Sequence, residues 1–206
     1  CKNTEGSDNT AFGTNSLFSN TTASNNTSIG RAALFANTTG TCNTALGCGA
    51  LCANTTADNN TALGMCTLKA NTTGHSNTAV GKIALCLNLT GICNVAIGVE
   101  ALDSNTTGSA NVGIGTDSLQ GNTSGASNVA VGNDALKTNS TADNNVAIGQ
   151  SALETNSTGT SNTAVGMSAL QANTTAAGNT AVGKSSLAVN STGASNTALG
   201  LSLIHI

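Results

Sequence analysis

The chain repeats with a period of 17. The string Asn-(Thr/Val)-(Ala/Ser/Gly)-apolar-Gly begins at Asn9 and returns at Asn26, Asn43, Asn60, Asn77, Asn94, Asn111, Asn128, Asn145, Asn162, Asn179 and Asn196. Residues 3–206 therefore divide into twelve rows of 17, with no insertion or deletion. Numbered from the first Asn of a row, the pattern reads N-T-T-G-x-x-N-T-A-V-G-x-x-A-L-x-x. Positions 1 and 7 are Asn and position 11 is Gly in all twelve rows. Position 15 is Leu in eleven rows and Ile204 in the last; position 10 is Val, Ile or Leu except for Phe12. Self-similarity of this kind fixes the architecture before any local structure is considered. A period free of insertions means that each unit meets the same neighbours above and below.

Rows of Asn, Thr, Gly and Val make poor helix. The five-residue step from position 10 to position 15 matches no helical stripe. Positions 8 and 10 alternate with a small position 9, which is the period of a strand. The row is therefore read as one coil of an all-β parallel solenoid, or β-roll, of twelve coils. A strand is expected near positions 7–11, a turn at the Gly of position 11, a second short strand near 13–16, and a return loop through N-T-T-G-x-x. Positions 8, 10 and 15 are expected in the core. The small residues at 9 and 14 then fall on the opposite faces, where turns crowd or another chain approaches. At a strand spacing of ~4.8 Å, twelve coils make a rod of roughly 58 Å.

The array is read as one solenoid over residues 1–200, from a fragment of a longer or processed chain, since Cys1-Lys2-Asn3 is neither an initiator Met nor a signal peptide. Residues 201–206, Leu-Ser-Leu-Ile-His-Ile, leave the pattern. They translate CTG TCT CTT ATA CAC ATC, which resembles a transposase end used in sequencing libraries. They are set aside as an adapter read-through, with an atypical terminal coil as the alternative.

The segments Asn128-Val-Ala-Val-Gly-Asn-Asp-Ala-Leu136 and Asn145-Val-Ala-Ile-Gly-Gln-Ser-Ala-Leu153 carry a family likeness. They resemble the head repeat of trimeric autotransporter adhesins, and are similar to repeats of fibre-like surface proteins and phage tail fibres. The likeness spans all twelve rows but only nine positions of each; the row here is longer, with the additional residues in N-T-T-G-x-x. The resemblance implies a left-handed parallel β-roll with three chains side by side.

Position 1 gives the clearest local signal. Asn20, Asn37, Asn54, Asn71, Asn88, Asn105, Asn122, Asn139, Asn156, Asn173 and Asn190 all read N-x-(Ser/Thr), and only Asn3 fails. Position 2 varies while position 3 keeps its hydroxyl in eleven rows. Position 1 is therefore a candidate column of N-linked glycans on an outward loop. Position 7, from Asn9 to Asn196, is assigned to a ladder of amides bonded coil to coil; the alternative for position 1 is a second such ladder.

Seven Cys occur at 1, 42, 48, 52, 66, 86 and 93, without a CxxC pair. Cys52/Cys86 and Cys42/Cys93 share positions two and three coils apart, roughly 10–14 Å by strand spacing and beyond the ~7 Å reach of a disulfide. Cys48 and Cys66, in adjacent coils, are the close candidates; the alternative is Cys as a small apolar filler. Glu100, Asp117 and Asp134 occupy position 13 of three successive rows. Stacked carboxylates repel, and a cation such as calcium would relieve them, but so would water at an exposed turn, and no metal is expected.

No Ser-His-Asp order, phosphate loop or paired-carboxylate motif is present, and neither an enzyme nor a cofactor is expected. Charged residues make up 7% of the chain and the formal charge is −3, which excludes a basic nucleic-acid surface. No apolar run approaches the ~18 residues of a membrane span. The expectation is a structural or adhesive extracellular fibre segment at the cell surface, glycan-coated, whose receptor the sequence does not name. Small faces, open β ends and a thin core favour a homo-oligomer, a trimer or an end-to-end filament. Alternatives are an ice-binding solenoid, with a Thr column at position 8 broken by Val95, Val112, Val129 and Val146, and a phage tail-fibre shaft.

Overall fold

The computed structural model describes residues 2–202. Cys1 and residues 203–206, with Ile204 and most of the adapter-like ending, lie outside the described residues. Each coil carries one three-residue strand, from Thr10–Phe12 in the first coil to Thr197–Leu199 in the twelfth. All twelve strands form a single parallel sheet in sequence order. Every residue pairs with the one 17 places on, as in Val95↔Val112, Ala96↔Gly113 and Ile97↔Ile114. The all-β parallel solenoid read from the period is the fold observed.

Among the described residues the second strand expected near positions 13–16 does not form. Position 15 is a left-handed Leu in each of coils 1–11, with φ between 47° and 53°. Non-glycine residues at position 13 of those coils have φ between 55° and 64°. Two left-handed residues two places apart turn the chain sharply, and a flat strand is impossible there. Each costs about 1–2 kcal/mol of backbone strain. Bonds to neighbouring coils hold them: Ala32 N–H donates to the Thr14 carbonyl of the coil before (2.9 Å), and Leu34 N–H to the Ala50 carbonyl of the coil after (3.0 Å). The strained turn therefore exists only inside a stack.

The invariant Gly of position 11 has two reasons to be Gly. Its φ lies between 125° and 142° in every coil, a region closed to side chains. A Cβ on Gly115 would also stand 2.6 Å from the Gly132 carbonyl oxygen of the next coil.

The interior reverses the expected assignment. Positions 9, 14 and 15 face inward, and positions 8 and 10 face out. Ala45, Ala50 and Leu51 are fully buried within one coil, and the same three columns run through the whole core. The stacked leucines at position 15 lie inside, as expected. Space decides the rest. A Cβ on Gly113, at position 9, would stand 3.1 Å from Ser118 Oγ and 3.4 Å from Leu102 Cδ1. The slot between positions 9 and 14 is one methyl wide, so the strand turns its small side chain in and its large ones out. Where Ser replaces Ala the hydroxyl is satisfied internally: Ser28 Oγ donates to the Ala33 carbonyl at 2.9 Å.

Candidate functional site

Two columns of Asn complete the interior. At position 7 each backbone N–H donates to the Oδ1 of the preceding Asn, as from Asn60 to Asn43 at 3.0 Å. The side-chain amide donates forward to the position-4 carbonyl of the next coil, as from Asn43 to Ala57 at 2.8 Å.

Position 1 is a second ladder, and its side chains do not lie on an outward loop as the glycan reading expected. Asn20, Asn37, Asn54, Asn71, Asn88, Asn105, Asn122, Asn139, Asn156 and Asn173 have no exposed surface. Asn105 Nδ2 donates to Asn88 Oδ1 at 2.8 Å and to the Gly108 carbonyl of its own coil at 3.0 Å. Asn122 Nδ2 donates in turn to Asn105 Oδ1 at 2.8 Å. Both amide protons are engaged inside the coil, so a sugar on Nδ2 is incompatible with this fold. Asn190 in the last coil is less enclosed but donates to Gly193 at 2.8 Å, leaving Asn173 Oδ1 buried without a partner. The position-4 carbonyl links the two columns, since Ala57 O accepts from Asn43 and from Asn54. Sequence reasoning missed that hub; its only signal is the restriction of position 4 to Gly or Ala.

The sequon hydroxyls separate. Position 2 donates to the carbonyl of its copy in the next coil, as from Thr38 to Thr55 at 3.0 Å. Position 3, such as Thr39 and Thr56, is exposed.

Cys48 and Cys66 are free thiols and do not form the expected disulfide. Cys66 N–H donates to the Cys48 carbonyl at 2.9 Å, but the Cys48 sulfur is turned toward coil 2, where it accepts from the Arg31 guanidinium at 3.5 Å. Burial pushes the Cys52 and Cys86 thiols up; on Cys86 the Asp103 carboxylate adds to this and Lys69 opposes it.

The column Glu100, Asp117 and Asp134 meets protein partners. Lys137 Nζ bonds Asp134 at 2.8 Å and Asp117 at 3.0 Å, and Gln120 Nε2 donates to Glu100 at 2.8 Å. Donating to these aspartates raises the Lys137 pKa and fixes the ammonium where a cation was considered. Among the described residues no group of three or more His, Cys, Asp or Glu is arranged to hold a metal ion. Nearby, burial and then Glu100 raise the Asp103 carboxyl above its ordinary value.

What remains is the outward face of the sheet. Leu46, Leu63, Ile97, Ile114 and Ile148 at position 10 are 37–41% exposed. Position 8 beside them is Thr in eight coils and Val in four successive ones, Val95 to Val146. This face carries no charge in any coil. The other outward columns are unrestricted: position 12 runs Thr14, Arg31, Cys48, Met65, Lys82 and Val99, and position 16 runs Phe18, Phe35, Cys52, Lys69, Cys86 and Asp103. The coil's own packing does not need a large apolar side chain at position 10, yet every coil has one. β-Propensity favours branched residues there, but it would admit Thr, which never occurs at position 10. The face is continuous along the stack, and large exposed apolar surfaces of this kind mark contact sites. No protein-family model, no curated protein and no solved structure matches this chain.

Proposed function

We propose that this chain is a shaft segment of an extracellular fibre, in which identical chains associate through the outward face of the sheet. One observation carries the reading: position 10 is apolar in every coil although it is not core. The rise along the stack selects the partner. A second copy presents the same column at the same ~4.8 Å spacing, and so matches ridge to groove at every coil, which an irregular globular surface does only locally. Twelve strands about 10 Å wide offer roughly 580 Å² per chain. Two such faces bury roughly 1,150 Å², close to the lower bound of a stable interface. The resemblance to adhesin heads favours three chains. It also supports a role at a cell surface, as an adhesive or supporting element.

The test is sedimentation of the full chain at micromolar concentration. The expected result is a homo-oligomer. Ile114→Lys with Val131→Lys, both on the outward face, should give a monomer with an unchanged far-ultraviolet spectrum. A wild-type monomer over the whole concentration range refutes the reading. The Thr column at position 8, which also faces outward, favours ice binding as a second reading. Thermal hysteresis of the wild type, lost on replacing Thr44, Thr61 and Thr78 by Lys, would establish it instead. The four-coil Val segment speaks for a dry protein contact.

A further inference from the structure

Position 3 keeps a hydroxyl in eleven successive coils, from Thr22 to Thr192, with Ser124 the one exchange. Every one of these residues is exposed. The hydroxyl one place earlier has a structural use: Thr38 donates to the Thr55 carbonyl at 3.0 Å, and Thr72 to the Leu89 carbonyl at 3.0 Å. Yet that bonded hydroxyl is given up at Leu89, whose neighbour Thr90 keeps its own. Position 3 enters the stack through its backbone alone, as where Thr107 N–H donates to the Thr123 carbonyl at 3.1 Å. Among the described residues its hydroxyl makes no hydrogen bond. A Thr kept for local turn chemistry would bond nearby backbone. Other exposed columns drift: position 6 runs Asp8, Asn25, Cys42, Asn59, Ser76 and Cys93. The fold leaves the position-3 hydroxyl idle, and the sequence retains it.

We propose that the position-3 hydroxyls from Thr22 to Thr192 are a column of O-linked glycosylation sites, each taking a neutral monosaccharide from a nucleoside-diphosphate sugar on a separate glycosyltransferase. The hydroxyl oxygen attacks the anomeric carbon. A carbon–oxygen bond forms to the side chain, and the bond from that carbon to the diphosphate breaks. The nucleoside diphosphate leaves with the electron pair, and the hydroxyl proton passes to a base of the transferase. No oxidation or reduction is involved. The charge of the loop selects a neutral group over a phosphate. Positions 1–7 contain no Lys or Arg in any coil, so phosphates ~4.8 Å apart would repel one another with no cation to receive them. A sugar at this oxygen leaves the buried Asn of position 1, two residues away, in its ladder. It also hydrates a rod of which only 7% is charged. The assignment does not depend on how the sheet faces associate.

The experiment is intact mass and peptide mapping, with electron-transfer fragmentation, of the full chain isolated from the cells that make it, before and after alkaline β-elimination. The expected result is monosaccharide increments located at position-3 residues such as Thr73, Thr107 and Thr141. They are removed by β-elimination, and the Asn side chains and the position-2 hydroxyls are bare. An unmodified chain, sugar on Asn or on position 2, or phosphate at position 3 each overturns the assignment. The unmodified recombinant chain tests the premise separately. Thr73→Ala, Thr107→Ala and Thr141→Ala combined should leave its thermal midpoint and far-ultraviolet spectrum unchanged. A marked loss of stability would mean that the hydroxyls are retained for folding, and would also overturn the proposal.

Discussion

Replacing Asn105 by Ala removes one rung from the middle of the position-1 ladder. The side chain makes three buried bonds: it donates to Asn88 Oδ1 and to Gly108 O, and accepts from Asn122 Nδ2. Gly108 O keeps a second donor in Asn94 Nδ2, 2.9 Å away. Asn88 Oδ1 and one proton of Asn122 are left buried with nothing to meet. Each orphan costs ~1–3 kcal/mol, so the loss is about 2–6 kcal/mol. Equilibrium urea unfolding followed by circular dichroism measures it. Thr107→Ala, two residues away on the exposed side, is the control and should change stability by less than ~0.5 kcal/mol. In a linear array the damaged coil also splits the cooperative unit, so the urea dependence should become shallower. Asn105→Asp sharpens the test. The carboxylate is buried opposite Asn88 Oδ1, so its folded-state pKa is raised. The penalty is then smallest below ~4, where the group is protonated in both states, and grows as pH rises. If Asn105→Ala costs no more than Thr107→Ala, the ladder does not hold the stack and the argument against glycans at position 1 loses its energetic basis.

Gly115→Ala should destabilise by more than ~2 kcal/mol, because it combines a forbidden φ with a clash against the coil above; calorimetry of the variant checks this. Ile83→Gly should stabilise by about 0.5–1 kcal/mol despite the lost side chain, since Ile83 is β-branched at φ 64°; a lower urea midpoint would contradict it. Asp103→Asn should stabilise at neutral pH and have no effect below the ordinary Asp range. The folded Asp103 pKa is raised, so its ionisation removes stability as pH climbs from the unfolded value toward the folded one; paired melts at pH 3 and pH 7 read the difference.

The period, the parallel register and the position-15 core are legible in the sequence because each follows from the 17-residue repeat alone. The direction of the strand is not. Val112 and Ile114 look like core beside Gly113 on any hydropathy argument, and in a wider coil they would be core. The gap between Gly113 and Ser118 is set by the left-handed residues at 117 and 119, and nothing in the residue types Asp and Leu announces that conformation. The enclosure of Asn105 was illegible for a related reason: Asn-Thr-Thr is equally good as an acceptor motif and as an amide rung followed by two loop hydroxyls. Only the enclosure of the Asn separates the two.

The near-identity of the coil–coil junctions has a mechanical consequence. A chain pulled by its two ends would open one junction at a time, since every junction is closed by the same set of bonds. Each opening releases 17 residues, or roughly 55–60 Å of extended chain. Such a rod responds to load at nearly constant force, lengthening in equal steps, and dissipates work as an extensible tether does. The first step belongs to the junction between coils 11 and 12, where Asn173 Oδ1 meets no amide from Asn190.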